Sequence, residues 1–205
     1  MKVNDMGNDN SIGTIRTKKA LIRKDILKKR REMSPEDVKR LSADICDRFL
    51  ASDEYRNADV LLLYKAYNNE VDTDIIFEKA LSDGKKVAFP LSRIVEGEPD
   101  LSFYFVNDLS ELTEGFMGIL EPDTALSPQP FEGRADVCIT PGVAFDGRCH
   151  RIGYGKAFYD RYIRLHRPGS IIALAYELQI TSNFESEKTD IAVDAVITEN
   201  AVIRP

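Results

Sequence analysis

At 205 residues, with 43% hydrophobic and 30% charged residues and a net charge of −6, the chain has the make-up of one globular domain rather than of a disordered or fibrous protein. The acidic balance argues against a general nucleic-acid binder, and apolar runs such as Val60–Tyr64 fall far short of the roughly 20 residues of a membrane helix. Cys46, Cys138 and Cys149 cannot all pair with one another and lack zinc-ligand spacing, which points to a reducing compartment, the cytoplasm.

The polar N-terminal stretch has no apolar signal core; residues 1–17 are expected to be disordered and 18–205 to form a single α/β domain. Lys18–Arg31 reads as a basic helix with Ile22 and Ile26 one turn apart and its other face solvated. Ser34-Pro35-Glu36-Asp37 is an N-cap, a first-turn proline and acidic residues at the positive end of a second helix, buried through Val38, Leu41, Ile45 and Phe49. A strand is expected over Asp59–Tyr64. A helix follows over Thr73–Ser82, with Ile75, Ile76 and Ala80 inward. Lys86–Pro90 and Leu101–Val106 are strands around turn residues Glu96–Asp100, where the sheet is expected to turn antiparallel. Gly115–Pro122 reads as a loop and Ala135–Thr140 as a strand. Gly155–Leu165 is a helix, and Ile171–Tyr176 and Val193–Thr198 are strands. Apolar strands alternating with helices predict an α/β, three-layer, mostly parallel, Rossmann-like sheet with helices on both faces.

Charge is distributed unevenly. Arg16–Arg31 carries many cations against a lone Asp25, and a second basic group runs from Arg148 to Arg167. Two basic patches on an acidic body suit an anionic small ligand held between them. The second patch includes Pro141–Asp160, which leaves a buried strand and enters a helix, the place where α/β sheets bind ligands. Gly153 and Gly155 let backbone approach a phosphate, Arg151 and Lys156 bring charge, and Asp160 offers a carboxylate to a nucleotide-borne magnesium ion. The spacing is neither a Walker A loop nor a dinucleotide fingerprint, and a pair of glycines alone is as well explained by a turn. Cys149 reads as a passive thiol, and neither His150 nor His166 as catalytic.

Several ordered motifs resemble the 5-formyltetrahydrofolate cyclo-ligase (methenyltetrahydrofolate synthetase) family. They are Lys19-x-x-x-Arg23, Glu70-Val71-Asp72-Thr73, Gly118–Pro122, Pro141–Asp160, Ala175–Ile180 and Val193–Glu199. The resemblance implies an ATP- and magnesium-dependent enzyme that closes 5-formyltetrahydrofolate to 5,10-methenyltetrahydrofolate with release of ADP and phosphate. It implies that Lys19, Arg23 and Arg151-Ile152-Gly153-Tyr154-Gly155-Lys156-Ala157-Phe158-Tyr159 bind ATP, with Arg151 and Lys156 catalytic. On the folate side it implies Tyr67, Glu70, Asp72 and Tyr154-Gly155-Lys156-Ala157-Phe158, and as magnesium carboxylates Asp160 and Asp194. Folate and ATP would be the partners of a monomer that binds neither nucleic acid nor membrane.

The residues also depart from the family pattern. Ala157 stands where a third glycine is common, and Thr189-Asp190 where a His-Asp pair is common. These departures leave open a folate- or nucleotide-binding paralogue without turnover, and the basic first helix leaves open an RNA-binding module.

Overall fold

The computed structural model describes residues 7–187 and 189–205, with side chains from residue 13 onward. Helices α1 (Gly7–Arg31), α2 (Pro35–Leu50) and α3 (Asp53–Asn57) lead into strand β1 (Val60–Leu62). The start of α2 is fixed as the sequence predicts: the Ser34 hydroxyl accepts from the Asp37 N–H at 3.0 Å, with Pro35 in the first turn. In contrast, α1 starts at Gly7 rather than Lys18, so residues 7–17 are helical where disorder was expected. Residues 1–6 of that expectation lie outside the described residues.

In α4 (Asp74–Ser82) the inward stripe is Ile76, Phe77 and Ala80. Ile75, expected inside, is 38% exposed because the stripe begins one residue later. Strands β2 (Lys86–Val95) and β3 (Glu98–Phe105) form an antiparallel hairpin paired right up to Glu96-Gly97, so both are longer than their apolar cores suggested. The expected loop Gly115–Pro122 holds a 3-10 turn, Phe116–Gly118, and a strand: β4 (Leu112–Glu114) pairs with β5 (Leu120–Pro122). Then follow β6 (Val137–Thr140), β7 (Ala144–Asp146), β8 (Arg151–Ile152), α5 (Phe158–His166), β9 (Ser170–Leu174), β10 (Ile180–Thr181), β11 (Ala195–Ile197) and β12 (Val202–Ile203).

The main sheet runs β12-β11-β9-β6-β1-β2-β3. Strands β11, β9, β6, β1 and β2 are parallel, and the edge strands β12 and β3 antiparallel. Side chains alternate across it. Leu61, Leu63, Ile139 and Leu174 pack with Ile45 and Phe49 of α2 and Ile76 of α4, while Leu62, Ala88 and Cys138 pack with Tyr162 of α5. Because both faces are covered, the central strands are apolar at all but their end positions, such as Thr140 and Ser170, which is why they read as nearly unbroken runs. Truncating a fully buried side chain such as Ile139 is expected to cost about 2–5 kcal/mol.

The chain passes from β1 through α4 to β2 on one side and later enters β6 on the other side of β1. The carboxyl ends of β1 and β6 therefore flank a topological switch point, where open α/β sheets leave a crevice. Pro141–Asp160 does not run straight from strand to helix. Strands β7 and β8 form a hairpin, with β10 parallel to β7, and α5 begins at Phe158 instead of Gly155. Gly155 (φ +91°) and Ala157 (φ 55°) are left-handed, which bars a right-handed helix from starting earlier.

Candidate active site

A cavity of about 810 Å³ opens at this switch point, within the range of about 300–1,000 Å³ usual for small-molecule sites. One wall is α1, through Arg16, Lys19 and Arg23; others are the loop after β1, with Lys65, Tyr67 and Glu70, and the turn with Phe116, Met117, Ile119 and Glu121. The floor and remaining wall come from Pro141, Arg151–Asp160, Glu187, Thr189 and Asp190.

The two basic patches, remote in sequence, meet here. Arg23 Nε donates to the Gly153 carbonyl at 2.7 Å, and a Cβ on Gly155 would lie 3.8 Å from Arg23 Nη2. Lys19 is 8% exposed because it lies three residues before Ile22, on the apolar side of the helix; the other face, with Lys18, Lys24, Lys28 and Lys29, is exposed as expected. Its ammonium pairs with Asp190 and lies 3.8 Å from Glu187 Oε1. Burial lowers the Arg23 guanidinium from its ordinary value, as removal of solvent from a cation must.

Arg151 is held rather than free. Its Nη1 donates to the Pro141 carbonyl at 3.1 Å and its Nη2 lies 3.2 Å from Asp160 Oδ1. Its Nε and the Tyr159 hydroxyl are both buried without a hydrogen-bond partner among the described residues. Orphaned buried donors are rare in folded proteins; both belong to residues that line the cavity, but the two atoms themselves are sealed from it. Lys156 is exposed on the same segment and forms no ion pair among the described residues.

In the loop after β1, Glu70 is 6% exposed. Its Oε2 accepts from the Tyr67 N–H at 3.0 Å and its Oε1 from the Tyr154 hydroxyl at 2.9 Å. Burial pushes the Glu70 carboxyl above the usual carboxylate range, and the charge of Arg30 and the hydrogen bonds from Tyr154 and Tyr67 offset this only in part. Glu121 is 4% exposed and accepts from the N–H groups of Ser92 (2.9 Å) and Phe116 (3.0 Å), tying the Phe116 turn to β2. Phe116 meets the Phe158 ring edge-on at 6.1 Å between centroids. A Cβ at Gly115 would fall 2.2 Å from Glu121 Oε2, so this closure needs glycine there.

Of the residues expected from sequence, Lys19, Arg23, Tyr67, Glu70 and the run from Arg151 through Ile152, Gly153, Tyr154, Gly155, Lys156, Ala157, Phe158 and Tyr159 to Asp160 line the one cavity. Two do not. The Asp72 carboxylate accepts from the Asp74 N–H at 3.0 Å, serving the start of α4. Asp194 precedes β11, and its carboxylate accepts from the Ile171 N–H at 2.7 Å. That is the amino edge of the parallel strands, and the cavity lies at their carboxyl ends. Asp136 plays the same part for Asp59 and Val60. Among the carboxylates that share the cavity with Asp160 is Asp190, next to Ile191, whose N–H donates to Asp160 Oδ1 at 3.2 Å. The unusual Thr189-Asp190 pair was the available signal. Among the described residues no group of three or more His, Cys, Asp or Glu is placed to hold a metal ion. Cys149 is buried, with its thiol pushed up by burial, in keeping with a passive role.

Comparison with known proteins bears on this site. The family model for the 5-formyltetrahydrofolate cyclo-ligase family matches residues 15–199. A probable 5-formyltetrahydrofolate cyclo-ligase of Caenorhabditis elegans is 28% identical over 84% of this chain and 88% of its own length. The 5-formyltetrahydrofolate cyclo-ligase of Escherichia coli K12 is 28% identical over 86% of this chain and 98% of its own. A solved structure of 5,10-methenyltetrahydrofolate synthetase from Aquifex aeolicus superposes with a TM-score of 0.78 at 31% identity, covering 91% of this chain and 92% of that one.

Proposed function

The chain belongs to the 5-formyltetrahydrofolate cyclo-ligase family, and on that premise we propose how its cavity closes 5-formyltetrahydrofolate to 5,10-methenyltetrahydrofolate with consumption of ATP. The observation that carries the reading is the bond from Arg23 to Gly153, which brings the cations of α1 onto the segment Arg151–Asp160. Phosphoryl transfer asks a protein mainly for in-line positioning and for cations around the equatorial oxygens. In this reading Lys19, Arg23, Arg151 and Lys156 surround the triphosphate. The formyl oxygen of the folate forms the new bond to the γ-phosphorus as the bond to ADP breaks. N10 then bonds to the activated carbon and loses its proton, and phosphate departs with the former formyl oxygen.

Glu70, with Tyr67 and Tyr154 beside it, accepts from the N–H groups of the reduced pterin, because a carboxylate offers acceptors only. Magnesium favours one or two carboxylates alongside phosphate oxygens and water. Asp160 and Asp190, hard oxygen donors on adjoining walls, fit such a nucleotide-borne ion, which when bound supplies further neutralisation of phosphate charge. Asp194, at the other end of the sheet, takes no part. The enzyme acts as a monomer in this reading, and the three buried, free cysteines suit the cytoplasm.

The test is direct. Purified protein with MgATP and 5-formyltetrahydrofolate forms the near-ultraviolet methenyl chromophore with stoichiometric phosphate release, and Arg151→Ala suppresses both. Tight folate and nucleotide binding with no phosphate released would reject the reaction in favour of a binding protein.

A further inference from the structure

Arg30 belongs to the basic last turn of α1, Lys28–Arg31. Lys28 and Lys29 have side chains 70% and 53% exposed, as solvated charges do, but Arg30 is 0% exposed. A guanidinium stays charged in such a place only where acceptors replace its water. Here the fork is filled from separate segments. Nε donates to the Asn68 carbonyl at 2.9 Å, Nη1 to the Gly142 carbonyl at 3.3 Å, and Nη2 to the Tyr154 hydroxyl. Nη2 also lies 3.8 Å from Glu70 Oε1. In return Asn69 Nδ2 donates to the Arg30 carbonyl at 3.0 Å, across a bend in which Asn68 and Asn69 are left-handed, at φ 50° and 55°.

We propose that Arg30 is a positioning residue for the folate half of the cavity: it stays off the substrate, fixes the Glu70 carboxylate, and directs the Tyr154 hydroxyl onto that carboxylate as donor. The hydroxyl accepts from Arg30 on one side, so its proton is left for Glu70 at 2.9 Å. Burial drives Glu70 toward its neutral form, and the Arg30 charge is the largest influence in the opposite direction. The remaining groups facing Glu70 are Tyr154, Tyr64, Tyr159 and Tyr176, whose hydroxyl donates to the Glu70 carbonyl at 3.1 Å. All are phenols held neutral by burial, so the compensating charge comes from Arg30. A protonated Glu70 would carry a donor where a pterin N–H needs an acceptor.

The nature of the ligand rests on the cyclo-ligase reading; the geometry does not. The experiment compares wild type with Arg30→Gln, which keeps amide donors but no charge, and Arg30→Lys, which keeps the charge but not the fork. In Arg30→Gln the KM for 5-formyltetrahydrofolate rises about tenfold or more, while that for ATP stays within about twofold. The acid limb of kcat/KM for folate moves up by about one pH unit, and Arg30→Lys returns the limb toward its wild-type position. If Arg30→Gln does not fold, Arg30→Lys decides alone: its folate KM rises by itself, with the limb in place. Both KM values rising together with an unmoved limb, or wild-type kinetics throughout, overturn the proposal. Titration of the Glu70 carboxyl by ¹³C NMR in wild type and Arg30→Gln needs no substrate. An unmoved Glu70 there sinks the role of Arg30, whereas a wild-type enzyme that forms no methenyl product sinks only the assigned reaction.

Discussion

Lys19 and Asp190 form an ion pair inside the cavity, joining the first helix to the chain that leads into β11. In the cyclo-ligase reading this pair is a stand-in: the ammonium turns to a phosphate oxygen and the carboxylate to the nucleotide's cation when ATP arrives.

Removing the ammonium therefore weakens ATP more than folate. A hydrogen bond to a charged group is worth about 1.5–3 kcal/mol, so Lys19→Met raises the KM for ATP by about ten- to a hundredfold. Steady-state kinetics with each substrate varied in turn check this. An ATP KM that stays at the wild-type value removes Lys19 from the phosphate site.

The three aspartates separate by position. Asp160→Asn and Asp190→Asn raise the magnesium concentration needed for half-maximal rate, because both carboxylates line the cavity. Asp194→Ala leaves that requirement unchanged and instead loses the bond from the Ile171 N–H, a destabilisation of about 1 kcal/mol. Magnesium titrations alongside urea unfolding distinguish the two classes. A magnesium defect in Asp194→Ala would contradict the geometry.

Ala157 holds a left-handed backbone at the start of α5 with no side-chain cap. That conformation costs an L-residue about 1–2 kcal/mol, and glycine gives back part of the gain through the freer unfolded chain. The net expectation for Ala157→Gly is a stabilisation of about 0.5–1 kcal/mol, read from the midpoint of denaturant unfolding. A destabilised variant would show that the methyl group packs favourably when the site is closed.

Glu70 makes stability depend on pH with a definite sign. Burial raises its folded carboxyl above the unfolded value, so the folded state holds the proton more tightly. Stability from this group is complete below the unfolded pKa, about 4.3, and declines as pH rises through the raised folded value. Comparing wild type with Glu70→Gln cancels the other carboxylates. Over that window wild type loses stability relative to the variant, and parallel pH profiles in urea unfolding would refute the buried, only partly compensated carboxyl.

The central strands were legible because burial on both faces leaves a one-dimensional mark, as in Val60–Leu62 and Ser170–Leu174. The short pairings β7–β8 and β4–β5 left none, since a strand of two or three residues is made by its partner and not by its own propensity. The run Arg151–Asp160 was readable for the opposite reason: its glycines, cations and carboxylate are contiguous and serve one cavity. Asp194 shows the limit, for a carboxylate beside a strand looks the same in sequence at either end of the sheet.

By itself the sequence determined that an apolar parallel sheet forms and that a glycine-bearing cationic segment follows one of its strands. Those properties are local, set by side-chain period and by backbone freedom. The helical period puts Lys19, Arg23 and Arg30 on the side of Ile22 and Ile26; only the tertiary structure decided that charges on that side could be buried. Lys19 and Arg30 are buried while Lys28 and Lys29 are wet, because burial of a charge depends on acceptors brought from Asp190, Asn68, Gly142 and Tyr154. Such acceptors are neighbours in space and strangers in sequence, and no periodicity along the helix encodes them.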